Sequence, residues 1–497
     1  MAVNKNDEAL VEIGNALFEE LGFYAASNSI KPLYVANGLF REVTGTTCDI
    51  SDIYDWVRAE NAKKSLSSKE ILEQYASIII QREGDEATID ELKEIRYYLE
   101  KLFNPDSNIQ SGDTFSVPNI SSIWQVRSYV QGEERVGGFL FKILNGKVDG
   151  KNSKAIEVIE KALKNDDDDI TRTIKPIIAS KSDSERKYRR DISVEEIDYT
   201  IAPDTILTVR RGFDCLAENC MDNSGKMSED SLMVLRRMTS YSMFAVFFYL
   251  SDINHTKYDD KKVPLLIDAD TGLGAIVNAS SKCLIECKKA VERFTTNFVK
   301  EWLLEAKLIS DVNNKAKCHH YLSEDINVTD DVRLELCLQF ENNCKNGDSP
   351  LLATAKAIQY ALYTVTYKDT TPSDFCSVIG TRAGLVGPGG NTNYRRLLVN
   401  RFLLETIILS ALTDEQLENG VEFKALGTIL RDKYNIIIGT DIDKDYEMLD
   451  EFGITKNTPE DLRGALSANA QEIADKIISL GLGKRYADGV TIIGRGL

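Results

Sequence analysis

Two aspartates, Asp268 and Asp270 in the run LLIDADTGLG, have the i, i+2 spacing that puts side chains on one face of an extended strand. Paired carboxylates at a strand end can hold a divalent cation, as a metal-dependent nuclease requires, yet no adjoining Lys or downstream acidic partner completes such a site. The competing reading is a polar turn that ends the strand. The three histidines, His255, His319 and His320, lie beside no Ser or Cys nucleophile motif, so Ser-His and Cys-His catalysis have little support. Cys318, His319 and His320 with Cys337 and Cys344 lack the paired spacing of a structural zinc site. Cys215 and Cys220, like Cys283 and Cys287, miss the Cys-x-x-Cys pattern and read as packing residues. No catalytic residue, metal or cofactor is assigned, and a non-enzymatic role is favoured over an enzymatic one.

Residues 381–401, TRAGLVGPGGNTNYRRLLVNR, carry four arginines and a cluster of glycines without an acidic residue, inside a chain of formal charge -18. A segment that reverses the sign of its surroundings is a candidate dock for an anion. Its glycines have the composition of a phosphate loop, but the Lys and Ser/Thr that reach phosphate and metal are missing, so an autonomous ATPase is not expected. Arg382, Asn393, Arg395, Arg396 and Arg401 are the anion-binding candidates. Asn393 and the Arg395-Arg396 pair are expected at the start of a helix, where exposed amides add to the positive field. The competing reading pairs Arg382 and Arg396 with acidic residues of the module that follows.

The elements that must position these residues are mainly helical. At 497 residues and 43% apolar content the chain is long enough for several cores. Leu10, Val11, Ile13, Leu17 and Leu21 recur at helical spacing before Gly22, and further helices are expected over 32–43, 52–62, 68–81 and 88–103. They define an N-terminal helical domain, 1–103. A mixed segment and linker, 104–190, holds apolar fragments at 122–130 and 137–144, an Asn-Gly turn signal at 145–146, the acidic run Asp166 to Asp169 and the basic stretch 181–190. The acidic run lacks the alternating ligands of a calcium loop. In the central helical domain, 191–374, the stretch 228–250 is apolar on nearly all sides and predicts a buried core helix, followed by a strand over 263–268 and helices over 280–308 and 351–367.

The hinge and C-terminal module occupy 375–497, with helices expected over 397–412, 421–434 and 459–480, a β-rich run over 435–439, an acidic insertion over 441–458 and a hairpin around Asp488-Gly489. Helix, helix, helix, hairpin resembles the winged-helix superfamily over about residues 396–497. That resemblance implies a third helix and wing that contact nucleic acid through Arg463, Ser467, Asn469, Gln471, Lys476, Lys484, Arg485 and Arg495. The charge runs the other way: residues 396–497 hold 12 Lys and Arg against 17 Asp and Glu, whereas DNA-reading domains are generally basic. An acidic winged helix used for protein contact is therefore weighed above a DNA-binding regulator.

GTRAGLVGPGGNTNYRRL together with KYNIIIG and RYADGVTII is similar to C-terminal modules of proteins from bacterial anti-phage gene clusters. The similarity implies a non-catalytic subunit working beside an ATPase or nuclease; the favoured reading is a subunit of a prokaryotic protein complex in DNA-directed defence, with local DNA contact as a further expectation. Nine scattered cysteines, no apolar run long enough to span a bilayer and a polar start predict a cytoplasmic protein without membrane contact.

Overall fold

A computed structural model of the chain describes residues 7–45, 97, 134–164, 203–222, 224–368, 370–389, 394–457 and 461–496. Over these residues it is mainly helical with small sheets. The helices expected over 52–62 and 68–81, most of that over 88–103, the fragment 122–130, the Asp166 to Asp169 run, the 181–190 stretch and Asn393 lie outside the described residues. So do the boundaries at 103/104 and 190/191.

Helix α1 (Glu8–Leu21) buries Leu10, Ile13, Leu17 and Leu21 on one stripe and stops at Gly22, whose φ of 83° suits a residue without a Cβ. It does not stand apart from the centre of the chain: Asp7 accepts from the Thr329 amide at 2.9 Å, and Tyr367 donates to the Gly14 carbonyl at 3.4 Å. Helix α2 (Pro32–Thr44) opens on a proline at its first turn. The apolar fragment 137–144 of the mixed segment lies in helix α3 (Val136–Asn145), because Val136, Leu140, Ile143 and Leu144 recur at helical spacing against α2. Gly137 permits that crossing, since a Cβ there would meet the Leu39 amide nitrogen at 2.4 Å. The turn falls four residues later than the Asn-Gly signal, at Asp149-Gly150, both with positive φ, between the bridged residues Val148 and Lys151. Asn145 is already committed as the last residue of α3.

Helices α4 (Lys154–Lys164) and α5 (Pro203–Asn219) lead to α6 (Ser231–Tyr258), capped by Asp230 and buried on all sides from Val234 to Asn254 apart from Arg236. Strand β1 (Leu265–Leu266) precedes α7 (Gly274–Glu305), α8 (Lys315–His320), α9 (Asp330–Lys345) and α10 (Pro350–Ala361). A π-helical turn, Leu362–Thr366, prolongs α10 and receives α1. The boundary expected at 374/375 falls inside α11 (Pro372–Ala383), where Phe375, Cys376 and Ile379 are buried.

Strands β2 (Val386–Gly387) and β3 (Arg396–Leu397) pair antiparallel, Val386 opposite Leu397 and Gly387 opposite Arg396. The next helix, α12 (Arg401–Ala411), starts four residues later than expected because the Asn400 side chain accepts from the Leu403 amide at 2.8 Å. After α13 (Asp414–Asn419), β4 (Val421–Glu422) and α14 (Phe423–Tyr434) comes β5 (Ile436–Ile437). It pairs parallel with β1, Leu265 opposite Ile436, and so joins the module to the body. The expected acidic insertion contains helix α15 (Ile442–Glu451), capped by Asp441. Helix α16 (Leu462–Ser479) is followed by β6 (Gly483–Arg485) and β7 (Thr491–Ile493), and β4 completes a three-stranded sheet in the order β4-β7-β6. Buried side chains from Leu10 to Ile493 form one connected core.

Candidate functional site: the basic hinge and the seam it closes

The hinge is held by backbone contacts before any charge acts. Leu398 donates to the Leu385 carbonyl and Asn400 to that of Gly384, each at 2.8 Å. Gly384 has φ 80°, and a Cβ there would lie 1.9 Å from the Asn400 amide nitrogen, so this corner requires glycine. The two strands thereby aim Arg396 inward.

Arg396 is only 7% exposed, and its guanidinium is spent on carboxylates of the body. Its Nε donates to Asp268 Oδ2, and one terminal nitrogen donates to Asp270 Oδ1 at 2.9 Å. Asp268 is fully buried and also accepts from the Asp270 amide at 2.7 Å through its other oxygen, a turn that holds Asp270 at φ 61°. The Asp268 amide donates to the Leu397 carbonyl at 2.8 Å, and the Leu397 amide to Ser280 Oγ at 3.0 Å. Arg396 is thus an internal counter-ion and not an open anion ligand; its partners belong to the body and not to the acidic module beside it. A buried guanidinium needs a fixed opposite charge, and the β1 turn supplies one. Asp268 and Asp270 accordingly face a cation of the chain itself, and among the described residues no group of three or more acidic, His or Cys side chains is arranged for a metal.

The other hinge candidates separate. Arg395 sits on the hairpin and not at a helix start; one of its terminal nitrogens donates to Thr381 Oγ1, while its Nε is buried without a partner. Arg382 is half-buried in the last turn of α11, and Arg401 is exposed in the first turn of α12.

Helix α16 closes the same seam from the module side. Asn469, expected to face nucleic acid, is fully buried: its Oδ1 accepts from the Ala269 amide at 2.8 Å, and its Nδ2 donates to the carbonyls of Ile267 at 2.8 Å and Ile438 at 3.4 Å. It bridges the ends of β1 and β5. Leu462, Leu466, Ile473 and Ile477 share its inward stripe, leaving Arg463, Ser467, Gln471, Glu472 and Asp475 outside. Arg463 pairs with Asp443 at 2.5 Å and lies over the Tyr446 ring; Lys476 is half-buried. On the hairpin, Lys484 lies over Tyr486 at 5.4 Å, and Arg485 pairs with Asp475 at 2.7 Å. Arg495 pairs with Asp414 at 2.8 Å and donates to the Asn219 carbonyl at 2.6 Å.

Further polar contacts run along the seam. Arg237, 5% exposed, is held by Glu229 at 2.8 Å and by Glu405 of α12 at 2.9 Å, and Arg236 lies over the Phe402 ring at 4.2 Å. Asn219 donates to the carbonyls of Leu409 and Leu412, Asn435 to Asp252 at 2.9 Å, and the hydroxyls of Tyr241 and Tyr434 meet at 3.1 Å. Within the module Arg431 and Asp445 form a buried pair at 2.7 Å; burial raises the Asp445 pKa even against the opposing pull of Arg431. Sequence reasoning missed this pair, whose signal is Asp445 four residues before the buried Leu449 on one stripe of α15.

Burial pushes Cys220, Cys283 and Cys376 up to about 12, which keeps them protonated near neutrality. Among the described residues no helix is long and apolar enough to cross a membrane. Comparison with known proteins finds no family model, curated protein or solved structure that matches the chain.

Proposed function

We propose that this protein is a non-catalytic subunit of a prokaryotic complex in DNA-directed anti-phage defence, working in the cytoplasm beside an ATPase or nuclease. Its C-terminal module is a winged helix used for protein contact. The fold reading is supported by the succession α12, β4, α14, α16 and the β6–β7 hairpin, with β4 added to that hairpin.

The observation that carries the protein-contact reading is the charge on α16. Its inner face is buried against the body, and its outer face offers Arg463 against Glu472 and Asp475, with Arg463 already held by Asp443. A helix that reads DNA needs donors free to face phosphates and base edges. The second reading, a DNA-binding regulator, is favoured by the hairpin, where Lys484, Arg485 and Tyr486 are all exposed.

The whole chain is the right test object, because a fragment beginning at 375 would cut α11. Duplex DNA titrated at low salt is expected to show no specific binding, while purification from the source cell retains a partner in fixed ratio. Binding whose log–log salt slope is steeper than about -3, and which Lys484→Glu with Arg485→Glu removes, would instead establish the regulator.

A further inference from the structure

The ends of α1 and α2 and one face of α3 line a cleft of about 210 Å³. Along α3 the residues facing it are Gly138, Phe139 and Lys142, the i, i+1 and i+4 positions of the helix, and Arg135 lines it from just before the first turn. The floor is aromatic: Phe23 packs against Phe139 with ring centroids 5.0 Å apart, and Phe18 meets Tyr24 edge-on at 4.8 Å.

Gly138 is the residue that internal packing does not explain. Gly137 is required by the close approach of α2, but a Cβ on Gly138 would have nothing within 4 Å. A glycine inside a helix weakens it relative to alanine, and among the described residues no contact offsets that cost. What Gly138 does provide is depth in the wall of the cleft. The rim is equally ordered. Glu134 and Arg135 both adopt positive φ immediately before α3, and Arg135 lies over the Tyr24 ring at 4.6 Å while touching Glu19 at 3.3 Å. Arg41 contacts Glu42. Lys142, one turn beyond Gly138 and about 6 Å along the axis, is exposed and has no ion pair among the described residues.

We propose that this cleft binds a small aromatic carboxylate, its ring seated over Gly138 on the aromatic floor and its carboxylate held by Lys142. The volume lies below the roughly 300–1,000 Å³ of drug-sized sites, which selects a single ring over a dinucleotide. The cationic excess of the rim selects an anion over a neutral or basic ring.

Benzoate titrated into the full-length chain by calorimetry tests this, with benzyl alcohol and inorganic phosphate as the ring-only and charge-only probes. Saturable benzoate binding is expected, at least about tenfold tighter than either probe. Gly138→Ala is expected to raise the melting temperature and weaken benzoate binding together, and Lys142→Ala to weaken it about tenfold. Gly138→Leu, if folded, abolishes it. No benzoate binding at millimolar concentration, equal binding of phosphate, or unchanged affinity in Gly138→Ala would each overturn the assignment; should Gly138→Leu not fold, the alanine variant alone decides.

Discussion

The seam between body and module and the outer β6–β7 hairpin use the same side chains to opposite ends. At the seam, Arg396 and Arg237 are almost fully buried and each is held by two carboxylates. On the hairpin, Arg485 meets Asp475 with both side chains more than a third open to water, and Lys484 lies over an exposed ring. Desolvation makes the difference. A charge removed from water needs a fixed partner, and deleting that partner strands it; a charge left in water loses little when its neighbour goes. The arginine-rich hinge therefore belongs energetically to the core, although its composition is that of a surface.

Removing Arg396 should have the largest effect. Arg396→Ala leaves Asp268 buried without its counter-ion and is expected to cost about 3–5 kcal/mol in denaturant unfolding; a change comparable to that of a hairpin variant would break the comparison. Asn469→Ala comes next, since it orphans the Ala269 amide and the Ile267 carbonyl, for a loss of about 2–4 kcal/mol. Both variants should speed alkylation of Cys220, which is buried beside Asn219 and whose thiol stays protonated while the seam is closed. Tyr434→Phe removes a hydroxyl that contacts Ser410 and Tyr241 and should cost about 1 kcal/mol, sharpening the estimate of what one neutral seam contact contributes. The smallest effect belongs to the hairpin: a double-mutant cycle on Arg485 and Asp475 should return a coupling of about 0.2–1 kcal/mol that shrinks as salt rises. A coupling above that of Tyr434 would place the hairpin with the core.

Much of the architecture was legible before any coordinate. The apolar stripe of α1, the all-round burial of α6 and the Asp488-Gly489 turn of the last hairpin follow from spacing and turn chemistry within a few residues of one another. Misreadings arose where a local signal was outweighed. The apolar fragment 137–144 reads as part of a mixed segment, yet it is helical: Gly137 admits a crossing helix and Gly138 lines a cleft. Asn145-Gly146 suggested a turn, but the apolar face of α3 claimed Asn145.

The sequence by itself determined that the chain is mainly helical and acidic, and that its arginines and glycines gather at 381–401. Only the tertiary structure decided what those arginines face. Arg396 meets Asp268 across 128 residues, and Asn469 reaches the Ala269 amide across 200. Helical periodicity is set by neighbours three and four residues away, so a sequence displays it directly. The partner of a buried charge is set by which turn the folded chain brings beside it, and burial, absent from any local pattern, turns a guanidinium that could have awaited an anion into part of the core.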